Sequence, residues 1–210
     1  CQSGAPAVVA DRVLLAMGRR PNTDDLALDR AGVTTDARGY IQVDDSLQTQ
    51  VPGIWALGDC NGRGAFTHTA YNDFEIVAAN LLDGASRKVS ERILGYALYI
   101  DPPLGRVGMT ERQARESGRS ILVSTRPMTR VGRAVERGET AGFMKLIADA
   151  HSRRMLGAAI LGVEGDESVH GVLNLMNADQ PVDTLQWAVP IHPTVSELWP
   201  TVANGLKPAE

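Results

Sequence analysis

Cysteine is scarce in this sequence: Cys1 and Cys60 are the only two in 210 residues. They are too few for the disulfide framework of a secreted domain, and they form no C-x-x-C or similar pair. This usage reads as that of a reducing, cytoplasmic compartment, and any thiol chemistry has to come from elsewhere. Long apolar runs are missing too. No stretch of about 18 consecutive apolar residues occurs, so no membrane-spanning helix is expected, and the N-terminus lacks a signal peptide's basic-then-apolar order. Neither sign of charge dominates, with 21 Lys and Arg against 25 Asp and Glu and a formal net charge of −4. Without a long basic run, nucleic acid is not an expected partner. There is no P-loop and no G-x-G-x-x-G after a strand, hence no complete dinucleotide fingerprint. Nor is there an H-x-x-x-H or Cys/His cluster to suggest a metal site. What is present is ordinary globular composition, 43% apolar and 22% charged, in a chain long enough for one large domain or two small ones.

The apolar run over residues 12–17, stopped by Gly18 and Pro21, predicts a buried strand feeding a loop. A short helix follows over Asp24–Arg30, closed by Gly32. Turn chemistry at Thr35–Gly39 leads into the alternating Tyr40–Val43, a half-buried strand or hairpin arm. Ile54-Trp-Ala-Leu57 reads as a continuous apolar strand ending in Gly58-Asp59. A loop with Gly62 and Gly64 then opens a helix from about Thr67 to Leu82, with Ala70, Phe74, Val77, Ala78 and Leu81 on one face and Gly84 as its stop.

Between about residues 85 and 95 the composition turns polar and charged, which marks a domain boundary. Beyond it, strands are expected over 96–100, 106–109, 121–125, 141–148 and 155–162, the last two joined as a hairpin. A capping box at Thr110–Gln113 opens a short helix that stops at Gly118. Two helices, near 166–178 and 194–204, close the chain. Strands followed by helices, without regular βαβ alternation, indicate an α+β layer in this part.

Two places could carry chemistry. Asp59 stands at the carboxyl end of a predicted strand, before a glycine-rich loop and a helix start. That is where α/β folds bind ligands and where helix N–H groups meet anions. Taken alone, a Gly-Asp pair is better read as a turn brace than as a ligand site. The second place is Pro190-Ile-His192-Pro193-Thr194-Val-Ser-Glu197. Thr194 and Glu197 form a capping-box pattern, which brings His192 and Glu197 together at a helix start. A carboxylate beside an imidazole fixes its tautomer and suits it to acid–base work near neutral pH. The alternative is that Glu197 serves the cap and His192 is a packed loop residue. His151 falls in a polar turn and His170 on a helix beside Val169 and Val172, where packing is expected. Trp55, Trp187 and Trp199 read as core or interface.

Four ordered motifs, Ala16-Met-Gly-Arg19-x-Pro21-Asn22, Ile54-Trp-Ala-Leu-Gly-Asp59, Gly142-Phe-Met-Lys-Leu-Ile147 and His192-Pro-Thr-x-x-Glu197, together resemble the C-terminal half of class I pyridine nucleotide-disulfide oxidoreductases. That family includes glutathione reductase, dihydrolipoamide dehydrogenase and mercuric reductase. The stretch Pro102–Arg115 is most similar to the mercuric-reductase-like and reactive-chlorine-resistance branch. The resemblance covers essentially the whole chain.

It implies a fold that combines the C-terminal piece of an FAD/NAD-binding α/β domain with an α+β dimerisation domain. Residues 1–90 would be the end of the NAD(P)-binding domain and the C-terminal segment of the FAD-binding domain, and residues 91–210 the interface domain of a homodimer. It implies FAD and NAD(P)H as cofactors. Gly18 would lie where the nicotinamide cofactor passes, Asp59 would hold the ribityl and phosphate region of FAD, and Ala65, Phe66, Thr67 and His68 would approach the flavin. His192 would be the acid–base group of the redox thiols, oriented by Glu197 and reaching across the dimer into the partner's site.

The family's N-terminal FAD fingerprint, redox cysteine pair and nucleotide fingerprint are absent from this sequence. The expectation is therefore a portion of a longer enzyme, inactive alone, that passes electrons from NAD(P)H to a small-molecule, disulfide or related acceptor. Mercuric reductases carry Tyr where His192 stands and end in paired cysteines, whereas this chain ends Gly205–Glu210 with none. Reduction of mercuric or another soft metal ion, and a non-catalytic dimerisation module, stay open as alternatives.

Overall fold

The structure, a computed structural model, describes Gly4 and residues 7–209; Cys1 lies outside them. The chain divides into two compact units, Cys1–Glu91 and Arg92–Glu210.

The first unit is mostly irregular chain stitched by turns. Asp36 and Asp44 each accept two backbone N–H groups on one carboxylate oxygen, from Arg38 and Tyr40 and from Ser46 and Gln48. These Asx-type bonds satisfy backbone that no ladder pairs. A small core forms from Val33, Ile41 and Ala56, with Leu28, Val51 and Ile54 against it. Of three strand expectations here, one fails and two are reduced to isolated bridges, Tyr40–Val43 as the arm of a small hairpin in which Asp36 N–H donates to the Tyr40 carbonyl and Gln42 N–H to the Thr34 carbonyl. Residues 12–17 make no ladder with any described segment, and Val13, Leu14, Leu15 and Met17 are exposed. A strand without a neighbour to take its N–H and C=O groups gains nothing from extension. Tyr40–Val43 and Ile54–Leu57 each contribute a single bridge, Thr35 to Ile41 and Gln48 to Trp55. The predicted helix over Asp24–Arg30 is a 3-10 turn, Leu28–Ala31, closed by Gly32 at φ 69°.

Helix α1 (Thr67–Leu82) has the expected limits, but its buried face differs. Thr69, Asp73 and Ile76 are buried, whereas Phe74 and Leu81 are exposed. The face that packs inside the unit carries polar groups. After α1, Asp45 accepts the backbone N–H and the hydroxyl of Ser90, which ties the end of this unit down.

The second unit is built on a six-stranded antiparallel sheet in the order β1-β2-β5-β4-β3-β6. Its strands are β1 (Gly95–Leu98), β2 (Leu104–Gly108), β3 (Ile121–Pro127), β4 (Phe143–Asp149), β5 (Met155–Leu161) and β6 (Lys207–Pro208). Alternation sets the two faces. Met144, Leu146 and Ala148 join Val107, Ala158 and Ile160 in the main core, under α3 (Gly132–Arg137), α4 (Gly165–Ser168), α5 (His170–Asn177), α6 (Val182–Gln186) and α7 (Trp199–Asn204). Ile147 faces the other way, with Ile121 and Leu156, against α2 (Glu111–Glu116). The capping box at α2 is reciprocal: Thr110 Oγ1 accepts from Gln113 N–H at 3.0 Å and Gln113 Oε1 accepts from Thr110 N–H at 2.8 Å. The β4–β5 hairpin turns on Asp149, whose Oδ1 accepts the N–H groups of His151 and Ser152.

The two terminal helices come in pieces. The span 166–178 is two helices either side of Val169, and His170 is exposed rather than packed, because Val169 and Val172 take the inward arc. The span 194–204 is a 3-10 turn, Ser196–Leu198, followed by α7. Pro200, lacking an N–H, fits the first turn of a new helix but not the interior of one begun at Thr194. Helices α3 and α6 and strand β6 are too short to show a period and were not anticipated.

Two predictions follow from this packing. Where a Cβ on Gly105 would stand, the Gly165 carbonyl oxygen lies 2.0 Å away, so Gly105→Ala should push α4 off β2 and cost about 1–3 kcal/mol or more in denaturant unfolding. The Glu111 carboxyl is held below its usual 4.5 by hydrogen bonds from Lys145 and Arg115. A depressed folded value gives stability that is complete above the unfolded value and lost as pH falls through the folded one. Melting curves should therefore show wild type above Glu111→Gln by about 0.5–1 kcal/mol at pH 7, the gap closing as pH drops below 4.5.

Candidate functional site

In the first unit Asp59, Ala65 and Phe66 lie on the turn and loop that lead into α1 and Thr67 and His68 open the helix, whereas Gly18 stands apart in open space. Ile54–Leu57 runs into a 3-10 turn, Gly58–Asn61, with Gly58 at φ 80°. Asp73, one and a half turns into α1 and 2% exposed, reaches back to this turn. Its Oδ2 accepts the Gly58 N–H at 2.9 Å and the Asn61 side-chain amide at 2.8 Å. Asn61 also donates to the Ala56 carbonyl at 3.0 Å and accepts the Arg63 N–H at 2.8 Å. A buried carboxylate of α1 thus folds the glycine-rich loop over the helix start. That is why the buried face of α1 is polar. Asp73 escaped sequence reasoning because it sits inside an otherwise apolar pattern; an acid on a predicted core face was the available signal.

The loop leaves Asp59 at the surface, its carboxylate about half exposed and 3.3 Å from the Arg19 guanidinium. Gly64 is needed for close approach, since a Cβ there would meet the Thr69 hydroxyl at 2.5 Å. That hydroxyl donates to the Phe66 carbonyl at 2.8 Å and accepts the Phe66 N–H at 3.2 Å, fixing the entry to α1. Ala65, Phe66, Thr67 and His68 are all exposed there, and the Phe66 and His68 rings stack at 5.3 Å. The start of this long helix offers main-chain N–H groups and the positive end of its dipole. Gly18, at φ 109°, is exposed and nothing stands within 4 Å of where its Cβ would be. Cys60 donates to the Leu57 carbonyl at 3.2 Å, and burial pushes its thiol above the usual range, the opposite of what a thiolate nucleophile requires.

In the second unit, His192 and Glu197 meet. The imidazole Nδ1 lies 2.9 Å from Glu197 Oε2, with the His192 side chain 79% exposed and that of Glu197 14% exposed. An ionised carboxylate only accepts, so Nδ1 carries the proton and Nε2 faces solvent as a proton acceptor. The expected capping box is only half made. Thr194 Oγ1 accepts the Glu197 N–H at 3.1 Å and donates to the Ile191 carbonyl at 2.7 Å. The Glu197 carboxylate bonds the imidazole instead of returning to the Thr194 backbone. The His192–Pro193 peptide is cis. Upstream, Trp187, Val189 and Ile191 are 85%, 96% and 80% exposed, an apolar strip leading to the histidine; of the three tryptophans only Trp199 is fully buried. Among the described residues no group of three or more His, Cys, Asp or Glu is placed to hold a metal ion, and no helix is long and apolar enough to cross a membrane.

Residues 95–203 match the pyridine nucleotide-disulphide oxidoreductase dimerisation domain family, and residues 3–73 match the pyridine nucleotide-disulphide oxidoreductase family. Among curated proteins, the chain is 40% identical over 191 residues to the probable pyridine nucleotide-disulfide oxidoreductase RclA of Escherichia coli (strain K12), covering 90% of this chain and 43% of that one. It is 34% identical over 190 residues to dihydrolipoyl dehydrogenase 3 of Haloarcula marismortui, covering 90% and 40%. The chain therefore spans less than half the length of these relatives. Among solved structures, the HOCl-induced flavoprotein disulfide reductase RclA from Escherichia coli superposes with a TM-score of 0.83 at 38% identity, over 90% of this chain and 44% of that one. LpdA from Mycobacterium tuberculosis shares the fold, with a TM-score of 0.84 at 21% identity over 91% and 42%. The fold of both units, the sequence matches and the structural neighbours agree, and the chain belongs to the pyridine nucleotide-disulfide oxidoreductase family.

Proposed function

We propose that this chain is the C-terminal portion of an FAD-dependent NAD(P)H oxidoreductase that reduces a disulfide or a related small acceptor, and that it works as a homodimer. The observation that carries this reading is the His192–Glu197 pair, an exposed imidazole tethered by a carboxylate at 2.9 Å. Residues 1–90 then belong to the end of the NAD(P)-binding domain and to the FAD-binding domain, and residues 91–210 form the dimerisation domain. The exposed strip Trp187, Val189 and Ile191 beside His192 suits burial against a second copy.

The residues around α1 fit a flavin dinucleotide: a half-exposed carboxylate on Asp59, main-chain N–H groups at the helix start, and a loop that Gly64 lets lie close. Asp59 would accept hydrogen bonds from ribityl hydroxyls, and Ala65, Phe66, Thr67 and His68 would line the approach to the ring, with Gly18 beside the nicotinamide path. When bound, FAD supplies two-electron transfer between nicotinamide and thiols. The chain's own acid–base group is His192. With Nδ1–H held by Glu197, Nε2 takes the proton of a thiol as that sulfur attacks an acceptor disulfide, and gives it to the thiolate released when the S–S bond breaks. The cysteine pair that would do this is not in the sequence, and Cys60 is unsuited to it. A second reading, reduction of a soft metal ion, is favoured by the relative RclA having been solved as a Cu(II) complex. The thiol reading is preferred because a His at position 192 serves proton transfer to sulfur.

In the full-length protein, His192→Ala or Glu197→Ala should slow reoxidation of the reduced enzyme by a disulfide about 100-fold or more, leaving flavin reduction by NAD(P)H unchanged in stopped-flow absorbance. Slowed flavin reduction with normal reoxidation would overturn the assignment. Asp59→Ala should be purified with a reduced flavin content, and a full complement of bound FAD in that variant would exclude this role.

A further inference from the structure

His192 is mostly solvent-exposed, and among the described residues its imidazole is hydrogen-bonded to Glu197. The orientation of the ring is therefore only as well defined as the position of that carboxylate. Glu197 rides on a 3-10 turn, Ser196–Leu198, whose own closing bond, Leu198 N–H to the Val195 carbonyl, is long at 3.3 Å. A three-residue turn with such a bond does not hold itself rigid. Thr194 Oγ1 accepts the Glu197 N–H at 3.1 Å and Val195 is buried at the start of the turn; the remaining anchor is one residue on α4. The Ser196 hydroxyl donates to Ser168 Oγ at 3.0 Å, and the Trp199 indole N–H is shared between Ser168 Oγ at 3.0 Å and the Ser168 carbonyl at 3.1 Å. Ser196 and Trp199 bracket Glu197 in sequence, so both ends of the turn are pinned to the same serine. Ser168 is 5% exposed and Trp199 2% exposed, so the bonds between these two are shielded from water, which strengthens them.

We infer that Ser168 is a positioning residue for the His192–Glu197 pair: by accepting from Ser196 and Trp199 it fixes the turn that carries Glu197, and so selects the Nδ1–H tautomer of His192. This rests on the acid–base reading given above. Ser168 makes its bonds to Ser196 and Trp199 rather than to the imidazole, so its effect is transmitted through the backbone of the turn. A purely structural role would show in stability alone. A positioning role shows in the imidazole, because which nitrogen carries the proton is set by the bond the ring makes.

The experiment is long-range 1H–15N correlation of the neutral His192 ring in the full chain, alongside thermal melts by circular dichroism. The variants are Ser168→Ala, Ser196→Ala, Trp199→Phe and Glu197→Ala. Wild type should show the Nδ1–H pattern, and Glu197→Ala should lose it. Ser168→Ala, Ser196→Ala and Trp199→Phe should each shift it to a mixture with the Nε2–H form while keeping a cooperative melt. Trp199→Phe keeps an aromatic ring in the core while removing the indole N–H, and Ser196 is exposed, so the test survives if Ser168→Ala does not fold. If Glu197→Ala changes the signal and the other folded variants do not, the role of Ser168 is overturned and the His192–Glu197 reading stands. If Glu197→Ala leaves the Nδ1–H pattern intact, both fall.

Discussion

The depth to which the helical layer sinks onto the sheet governs the second unit. The Gly165 carbonyl occupies the volume that a side chain on Gly105 would fill, 2.0 Å from the ideal Cβ, and Val169 Cγ1 lies 2.9 Å from the same point. This approach brings α4 directly onto β2, with Ser168 at its end, and lets Val169 and Val172 close the core with Trp199 and Val202. The turn bearing Glu197 hangs from that arrangement through Ser168. A glycine in a strand thus reaches, in a few steps of packing and hydrogen bonding, to a surface histidine.

The first unit solves a similar problem with charge. Its core is small, and most of its backbone lies outside ladders, so side chains complete the hydrogen bonding: Asp36 and Asp44 in their turns, Asn61 under the glycine-rich loop, and Asp73 from within α1. A carboxylate with this little exposure is tolerated because two donors converge on one of its oxygens. In both units a buried acceptor on one helix fixes a neighbouring loop or turn, the one carrying Asp59 in the first unit and the one whose Glu197 bonds His192 in the second.

The legibility of these features followed their range along the chain. The Thr110–Gln113 box, the limits of α1 and the β4–β5 hairpin rest on neighbours a few residues apart, and spacing shows them. The meeting of His192 with Glu197 is likewise local. Strands that depend on a partner segment were not legible: residues 12–17 and Ile54–Leu57 have strand composition and form no strand among the described residues. The inward face of α1 was misassigned because hydrophobic periodicity counts Phe74 and Leu81 as core, whereas Asp73 and its convergent donors decide which side turns in. Ser168 carries no sequence signal at all, since its importance comes from Ser196 and Trp199, 28 and 31 residues away.

By itself the sequence determined roughly where the first five strands of the second unit and helix α2 lie, and the set of ordered motifs that mark the family, because these are written in local spacing and residue type. Only the tertiary structure decided which polar groups are buried and against what. It turned Asp73 inward, left His170 outside, split the last helix at Pro200, and diverted the Glu197 carboxylate from a backbone cap to the His192 imidazole. The physical reason is that a buried donor or acceptor must find its partner wherever the fold brings one within about 3 Å, and that distance is set by the packing of segments far apart in the chain.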